Sequence, residues 1–208
     1  MTDRLAGLLL FLPVPIVLWL FTRAPLGAGA SLGIGIALMA SHRLYARPFA
    51  LSRAGRRCLW CGGEAGDGPR VAVEEPPDRT AWRACGSRHA DLLARVFDTA
   101  HRWRWFLRVG ILGSLALFLA GALPAARGWL GPVTFADASA FFRLGVSLTV
   151  LPFGWLAASI GPRPAEETRV PFPVHVQALI GTAAMLWLFR IVGLVWIAQV
   201  AVYAFRRP

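Results

Sequence analysis

The sequence contains no lysine, and all 22 of its basic residues are arginine. This bias is typical of GC-rich coding and indicates a bacterium with a high-GC genome. Charged residues of either sign are also scarce: they make up 16% of the chain, against about one quarter in a soluble domain. Because 56% of the residues are hydrophobic, the composition excludes an ordinary soluble domain and favours an integral membrane protein.

Several signatures of catalysis and transport are missing as well. The sequence shows no catalytic dyad, phosphate-binding loop or internal repeat, and we expect no carboxylate inside any membrane span. It also lacks a nucleic-acid-binding motif, so we attribute the net charge of +11 to arginines that flank apolar segments. These absences favour a protein without a nucleic-acid partner, whose main environment is the lipid bilayer.

Five segments are apolar enough to cross a bilayer, which requires roughly 20 residues. They comprise residues 5–21, 26–40, 106–123, 141–160 and 174–205. The last segment is too long for one untilted crossing, so it must tilt, protrude or kink. The predicted fold is an all-α polytopic membrane protein with about five transmembrane helices.

Arginine density predicts the orientation of these spans. The loop between the second and third spans holds the densest cluster: Arg43, Arg47, Arg53, Arg56, Arg57, Arg102 and Arg104. Loops rich in arginine remain in the cytoplasm, so we expect a multi-pass protein of the bacterial inner membrane with this loop in the cytoplasm. Five spans would then place Arg206 and Arg207 outside, against the same rule.

The chain divides into three predicted regions. Residues 1–45 form a transmembrane hairpin, residues 46–104 a cytoplasmic module with a juxtamembrane helix, and residues 105–208 a transmembrane bundle. Within the module, residues 70–74 and 80–84 are predicted as short strands around a turn at 75–78. An apolar stripe at helical spacing follows: Leu92, Leu93, Val96, Phe97 and Ala100.

The module also contains all three cysteines of the chain. Cys58 and Cys61 form a C-x2-C pair, and 23 residues later Cys85 and His89 lie four apart at a predicted helix start. An odd number of cysteines fits a mixed metal site better than a disulfide framework. Three thiolates and one imidazole complete the tetrahedral set of structural zinc, so we predict one structural zinc ion here.

The order of C-x2-C turn, hairpin and ligand-bearing helix resembles a treble-clef zinc finger. The stretch from Cys85 to His89 is similar to the C-S-x-x-H ending of small zinc-ribbon modules, with Gly86 where serine is usual. The resemblance covers about residues 55–100 and implies a small α+β module stapled by zinc. It does not imply one function, because such modules bind proteins, nucleic acids or nothing.

Two other interpretations of the cysteines remain open. Cys58 and Cys61 are similar to the thiol pair of membrane oxidoreductases that reduce quinone, although such enzymes need a second pair and only Cys85 remains. The alternative is that the cysteines bind nothing.

A polar stripe is predicted in the last apolar segment. Counted along one helix, His175, Thr182 and Arg190 share a face. Arg190 either binds an anionic ligand or lipid headgroup, or it extends to the interface on a tilted helix. Its expected hydrogen-bond acceptors are carbonyls freed by proline, which are those of Leu9, Phe11 and Leu148.

Three classes of function remain. The first is a non-enzymatic accessory, scaffold or assembly subunit, with a protein partner in the membrane or at its cytoplasmic face. The second is a transporter or anionic-ligand-binding protein that uses Arg190. The third is a membrane thiol or metal enzyme that uses Cys58 and Cys61. The sequence favours the first class and leaves the oligomeric state open.

Overall fold

The computed structural model describes residues 2–21, 28–71, 73–74, 82–122, 134–160, 168–169 and 174–206, and these residues are mostly helical. The elements are α1 (Thr2–Phe11), α2 (Pro13–Phe21), α3 (Ala28–Ser41), a π-helical turn (His42–Ala46), α4 (Arg47–Arg53), β1 (Val73–Glu74), α5 (Ser87–Arg102), α6 (Arg104–Ala122), α7 (Phe135–Leu156), β2 (Thr168–Arg169), α8 (Val174–Ile180) and α9 (Thr182–Phe205).

Three of the described helices are long and apolar enough to cross a membrane. They are α6, α7 and α9, with mean hydropathies of 1.4, 1.3 and 2.0 over their spanning windows. Helix α7 packs against both of the others. The chain is therefore a membrane protein, as its composition predicts.

Small residues bring these helices close together. A Cβ atom on Gly110 or Gly145 would overlap the side chain of Thr149 or Ser114 across the α6–α7 contact. These pairings run in opposite directions along the two helices, so α6 and α7 are antiparallel. Close packing of small residues stabilises helix pairs in lipid, where the hydrophobic effect does not drive their association.

The first two predicted spans correspond to shorter helices. The apolar stretch Leu5–Val17 is below the length of a spanning helix in the described residues, and α3 has 14 residues. Helix α1 packs on α8, where Gly7 lies directly against the carbonyl of Leu179. The five-span arrangement stays a prediction.

The fourth span begins earlier than its hydrophobicity indicates. Helix α7 begins at Phe135 and therefore includes Asp137, which is buried. The Thr134 hydroxyl accepts the Asp137 N–H, and the Asp137 carboxylate accepts the Thr134 N–H in return, as in a capping box. The expectation that no carboxylate lies within a span is wrong for this helix, because the cap extends the helix beyond its apolar core.

The last apolar segment is broken rather than tilted as one rod. Helix α8 ends at Ile180, α9 begins at Thr182, and Gly181 between them has φ of 91°. Residues with a side chain avoid this conformation. The break turns residues 174–205 into a short helix and a spanning helix.

In the module between α4 and α5, the segments around residues 70 and 83 are joined by an isolated antiparallel bridge. The Val71 N–H donates to the Trp82 carbonyl at 2.9 Å, and the Ala84 N–H donates to the Pro69 carbonyl at 3.0 Å. The predicted turn at 75–78 lies outside the described residues. Strand β1 pairs in parallel with β2, which comes from the segment between α7 and α8.

The core of the module is built on α5. The buried face of the predicted stripe consists of Leu93, Val96, Phe97 and Ala100, each at most 1% exposed, and it packs with the buried Trp82. The same cluster includes Phe153 of α7 and Leu186 of α9. Module and bundle therefore share one hydrophobic core.

Candidate metal centre

The first ligand pair lies on a tight turn. The Cys58 N–H donates to the Gly63 carbonyl, and the Gly62 N–H donates to the Cys58 carbonyl, both at 2.8 Å. Gly62 has φ of 68°, in the left-handed region that glycine adopts without strain. We call residues 58–61 the knuckle. Its fold allows the sulfurs of Cys58 and Cys61 to point to one position.

The second pair lies at the start of α5. Cys85 precedes the helix, and His89 is on its first turn, so the two side chains share one face. The His89 Nδ1 atom lies 3.0 Å from the Cys85 sulfur and 3.5 Å from the Cys58 sulfur. The ring nitrogen that faces the thiols is therefore Nδ1.

All four predicted ligands converge. The three sulfurs and the imidazole nitrogen lie within 4.8 Å of one another. A tetrahedral ion with bonds of about 2.0–2.3 Å requires ligand atoms roughly 3.5–4 Å apart, so small side-chain adjustments suffice. The residues present therefore fit a four-coordinate metal ion, and this set leaves no position open for a catalytic water.

The thiols differ in their surroundings and in their acidity. Burial raises the pKa of Cys58, but hydrogen bonds from the backbone N–H groups of Cys61 and Cys85 and from His89 outweigh it and bring the pKa to about 7. Partial desolvation, then hydrogen bonding and repulsion from Cys58 and Cys61, raises the pKa of Cys85 to about 11. Without a metal ion, Cys58 therefore loses its proton more readily than Cys85.

The knuckle also binds the spanning helix α9. The Thr182 N–H donates to the Leu59 carbonyl at 2.9 Å, and the Ala183 N–H donates to the Trp60 carbonyl at 3.0 Å. The Thr182 hydroxyl donates to the Leu59 carbonyl at 3.0 Å. The N–H groups of a first helical turn have no partner within the helix, so the knuckle supplies acceptors that α9 needs.

A second contact joins the module to the end of α7. The Thr99 hydroxyl of α5 donates to the Ala157 carbonyl at 3.3 Å, and both residues are buried. The Trp103 ring, which follows α5, lies 6.5 Å from the Phe153 ring of α7. The module therefore holds one end of α7 and one end of α9.

The three residues of the predicted polar stripe contact different parts of the molecule. His175 Nε2 lies 2.9 Å from Nε2 of His42 in the π-helical turn, Thr182 binds the knuckle, and Arg190 contacts α7. The break at Gly181 separates His175 from the other two. The acceptor of Arg190 is the Gly154 carbonyl, bonded by Nε at 2.7 Å, rather than a carbonyl of the proline-freed set.

Sequence reasoning missed a polar cluster at the other end of the bundle. Arg143 donates to the Gln199 side chain at 3.0 Å and to the Ser139 hydroxyl at 2.8 Å. The Tyr203 hydroxyl donates to the Asp137 carboxylate at 2.8 Å. Thr134 and Asp137 have the spacing of a capping box. This signal could have predicted the earlier start of α7 and, with it, the presence of Asp137 in the helix.

No protein-family model, curated protein or solved structure matches the chain.

Proposed function

We propose that the chain is a non-enzymatic membrane scaffold protein whose zinc module fixes one end of a transmembrane bundle. The observation that carries this proposal is the pair of bonds from Thr182 and Ala183 to the knuckle carbonyls. The loop that supplies two metal ligands is also the cap of a spanning helix. Metal binding and bundle geometry are therefore one structural unit.

The chemistry of the site supports zinc as the metal. Three thiolates and one imidazole are the ligands of many structural zinc sites, whereas calcium and magnesium prefer oxygen. A zinc ion with three thiolates carries a net charge of −1. The N-terminus of α9 bears a partial positive charge, so the helix stabilises the metal complex that caps it.

The redox alternative fits the structure less well. A dithiol enzyme that uses Cys58 and Cys61 needs an exchange partner, but the remaining thiol and His89 lie in the same cluster. Cys58 is only 1% exposed, which limits its access to a disulfide substrate. A structural role requires neither a second thiol pair nor an open coordination position on the metal.

The expected effect of metal on the helix end is measurable by hydrogen exchange. Removing zinc with a chelator should speed exchange of the Thr182 and Ala183 amides at least about tenfold, because their acceptors become mobile. Amides in the middle of α9, such as those of Val195 and Ala198, should keep their protection. Mass spectrometry of peptides from the zinc-bound and chelated protein checks this. Equal exchange at Thr182 in both samples would overturn the scaffold proposal.

Zinc affinity should depend on pH through the thiols. Metal binding removes the thiol protons: Cys85, with a pKa of about 11, loses one at any pH near neutrality. Cys58, with a pKa of about 7, is protonated only below that pH, and only there does metal binding release a proton from it. The affinity should therefore rise at least about tenfold per pH unit above pH 7 and more steeply below it. Competition with a chromophoric chelator of known protonation measures this slope, and a flat profile would contradict thiolate ligation.

The finer architecture belongs to the same proposal. The module is a treble-clef finger, α1–α3 supply two further spans, and the arginine-rich module lies in the cytoplasm of a bacterium. Two reporter enzymes can be inserted after Gly66, an exposed-loop glycine with φ of 54°: a cytoplasmic form that is active only in the cytoplasm, and a periplasmic form that is active only in the periplasm. We expect activity from the cytoplasmic form alone. Activity restricted to the periplasmic form would reverse the orientation.

The scaffold role implies a protein partner in the membrane or at the cytoplasmic face. A cleft of about 620 Å³ lies beside the knuckle, and its lining includes Arg53, Arg56 and Arg57 as well as Glu64 and Asp67. Surfaces with both signs of charge favour specific protein contacts over binding to a uniform polyanion. Purification from the native membrane in mild detergent should yield a complex, whereas a single species of 22.6 kDa would contradict an accessory role.

A further inference from the structure

Arg190 is held at the end of α7 in a way that leaves most of its guanidinium available. Its Nε donates to the Gly154 carbonyl at 2.7 Å. Helix α7 ends two residues later at Leu156, so this carbonyl lies in the last turn, where helices bear negative partial charge and lack internal donors. Within the described part of the chain, no other hydrogen bond or ion pair involves Arg190. Its two terminal nitrogens therefore remain free to bind a ligand.

Two indole rings flank this guanidinium. The central carbon of Arg190 lies 4.7 Å from the ring centres of both Trp155 and Trp187. The two tryptophans are 51% and 57% exposed, so the group lies on the outer surface of the bundle rather than in its core. Cation–π contacts fix the plane of the arginine, which orders it before any ligand arrives.

The position along α9 places this group near a membrane surface. Arg190 is eight residues from the knuckle-bound Thr182, or about 12 Å along the axis. Side chains of a helix tilt toward its N-terminus, which here is the module side, and Trp187 lies one turn closer to the module. Tryptophan concentrates at membrane interfaces. The long side chain of Arg190 can therefore extend its guanidinium toward the headgroups of the module-side leaflet.

An apolar surface continues from this group into the bilayer. Leu194 is two turns beyond Trp187 on α9, and Leu148 is two turns before Trp155 on the antiparallel α7. Both leucines are more than half exposed. An acyl chain can follow this surface while its headgroup stays beside Arg190.

From these contacts we infer that Arg190, Trp155 and Trp187 bind the phosphate of an anionic phospholipid from the module-side leaflet. Arginine presents paired N–H donors that match two phosphate oxygens, and the terminal nitrogens of Arg190 are the ones not used within the protein. The carbonyl bond and the two rings hold the side chain in place. This site is independent of the zinc centre and of the scaffold role.

Lipid titration followed by native mass spectrometry tests the site. The wild-type protein in neutral detergent should bind its first phosphatidylglycerol about fivefold or more tightly than phosphatidylcholine. Arg190→Gln should remove most of this preference. Arg206→Gln, which removes the same charge from the exposed opposite end of α9, should leave it unchanged. Trp187→Leu keeps the Arg190–Gly154 bond and should weaken phosphatidylglycerol binding about two- to fivefold.

Four outcomes would overturn the inference. Equal binding of the two lipids would show that no anionic headgroup is selected. Equal losses in Arg190→Gln and Arg206→Gln would assign the preference to net charge alone. If inorganic phosphate displaces bound phosphatidylglycerol as effectively as added phosphatidylglycerol does, the ligand of the site is free phosphate rather than a lipid. If Arg190→Gln fails to fold, an unchanged preference in Trp187→Leu is the result that rejects the site.

Discussion

Replacing a zinc ligand should produce the largest loss of stability of any single change in the module. We expect Cys58→Ser or His89→Ala to lose the metal and to unfold residues 55–100. Zinc contributes about 10–16 kcal/mol to the folding of zinc-finger peptides, which exceeds the net stability of most small domains. The buried Cys58 also lies in the core with Leu59 and Trp82. Zinc analysis and limited proteolysis of the purified variants measure both effects.

A second histidine provides a matched control. His101 lies on α5 with His89 but outside the metal cluster, so His101→Ala should retain one zinc per chain. The zinc prediction fails if freshly reduced wild-type protein contains no metal, or if Cys58 and Cys61 form a disulfide in the cell. It also fails if His101→Ala loses zinc as completely as His89→Ala.

Adding one methyl group at Gly181 should disrupt the joint between module and bundle. The φ of 91° and ψ of 145° at this residue lie in a region that is essentially restricted to glycine, at a cost of roughly 1–3 kcal/mol for other residues. The new Cβ would also lie 2.9 Å from the Trp60 carbonyl oxygen and 3.2 Å from backbone atoms of Cys61 and Gly62. Because these are backbone atoms, we expect Gly181→Ala to lose about 3 kcal/mol or more.

The appropriate control is a glycine with space around it. A Cβ on Gly113 of α6 meets no atom within 4 Å, so Gly113→Ala should be neutral or slightly stabilising, as alanine favours helix. The midpoint of unfolding in a mixed-micelle titration compares the two variants. Zinc content should also fall in Gly181→Ala, since the knuckle must move. Wild-type stability in Gly181→Ala would show that the knuckle does not rest on α9.

The local parts of this structure were predictable from the sequence. The spacing of Cys58, Cys61, Cys85 and His89 identified four side chains that the fold brings within 4.8 Å. The stripe of α5 and the pairing of residues 70 and 83 also follow from short-range patterns. Each of these features depends on a period or on a ligand spacing that the chain displays directly.

The remaining features depend on contacts between distant segments. The apolar run of residues 174–205 contains two glycines, Gly181 and Gly193. Nothing in their local sequence shows that the helix breaks at the first and continues through the second. His42 lies against His175, 133 residues away along the chain, and no local spacing predicts such a contact. Arg190 was expected to donate to a carbonyl whose helical partner is replaced by proline. Its acceptor is instead the Gly154 carbonyl in the last turn of α7. Hydrophobicity identifies the apolar centre of a helix better than its capped start. The predicted span therefore began at residue 141 and did not include Asp137.

The bond between the knuckle and α9 has a consequence for biosynthesis. Thr182 follows Leu59 by 123 residues, so a ribosome working at about 5–20 residues per second makes the knuckle roughly 6–25 seconds before the helix that it caps. During that interval the cysteines can take up zinc before α9 has been synthesised. When α9 emerges, its first N–H groups meet acceptors that are already in place. A cell short of zinc would therefore accumulate chains that are complete in length but whose last helix lacks its docking point.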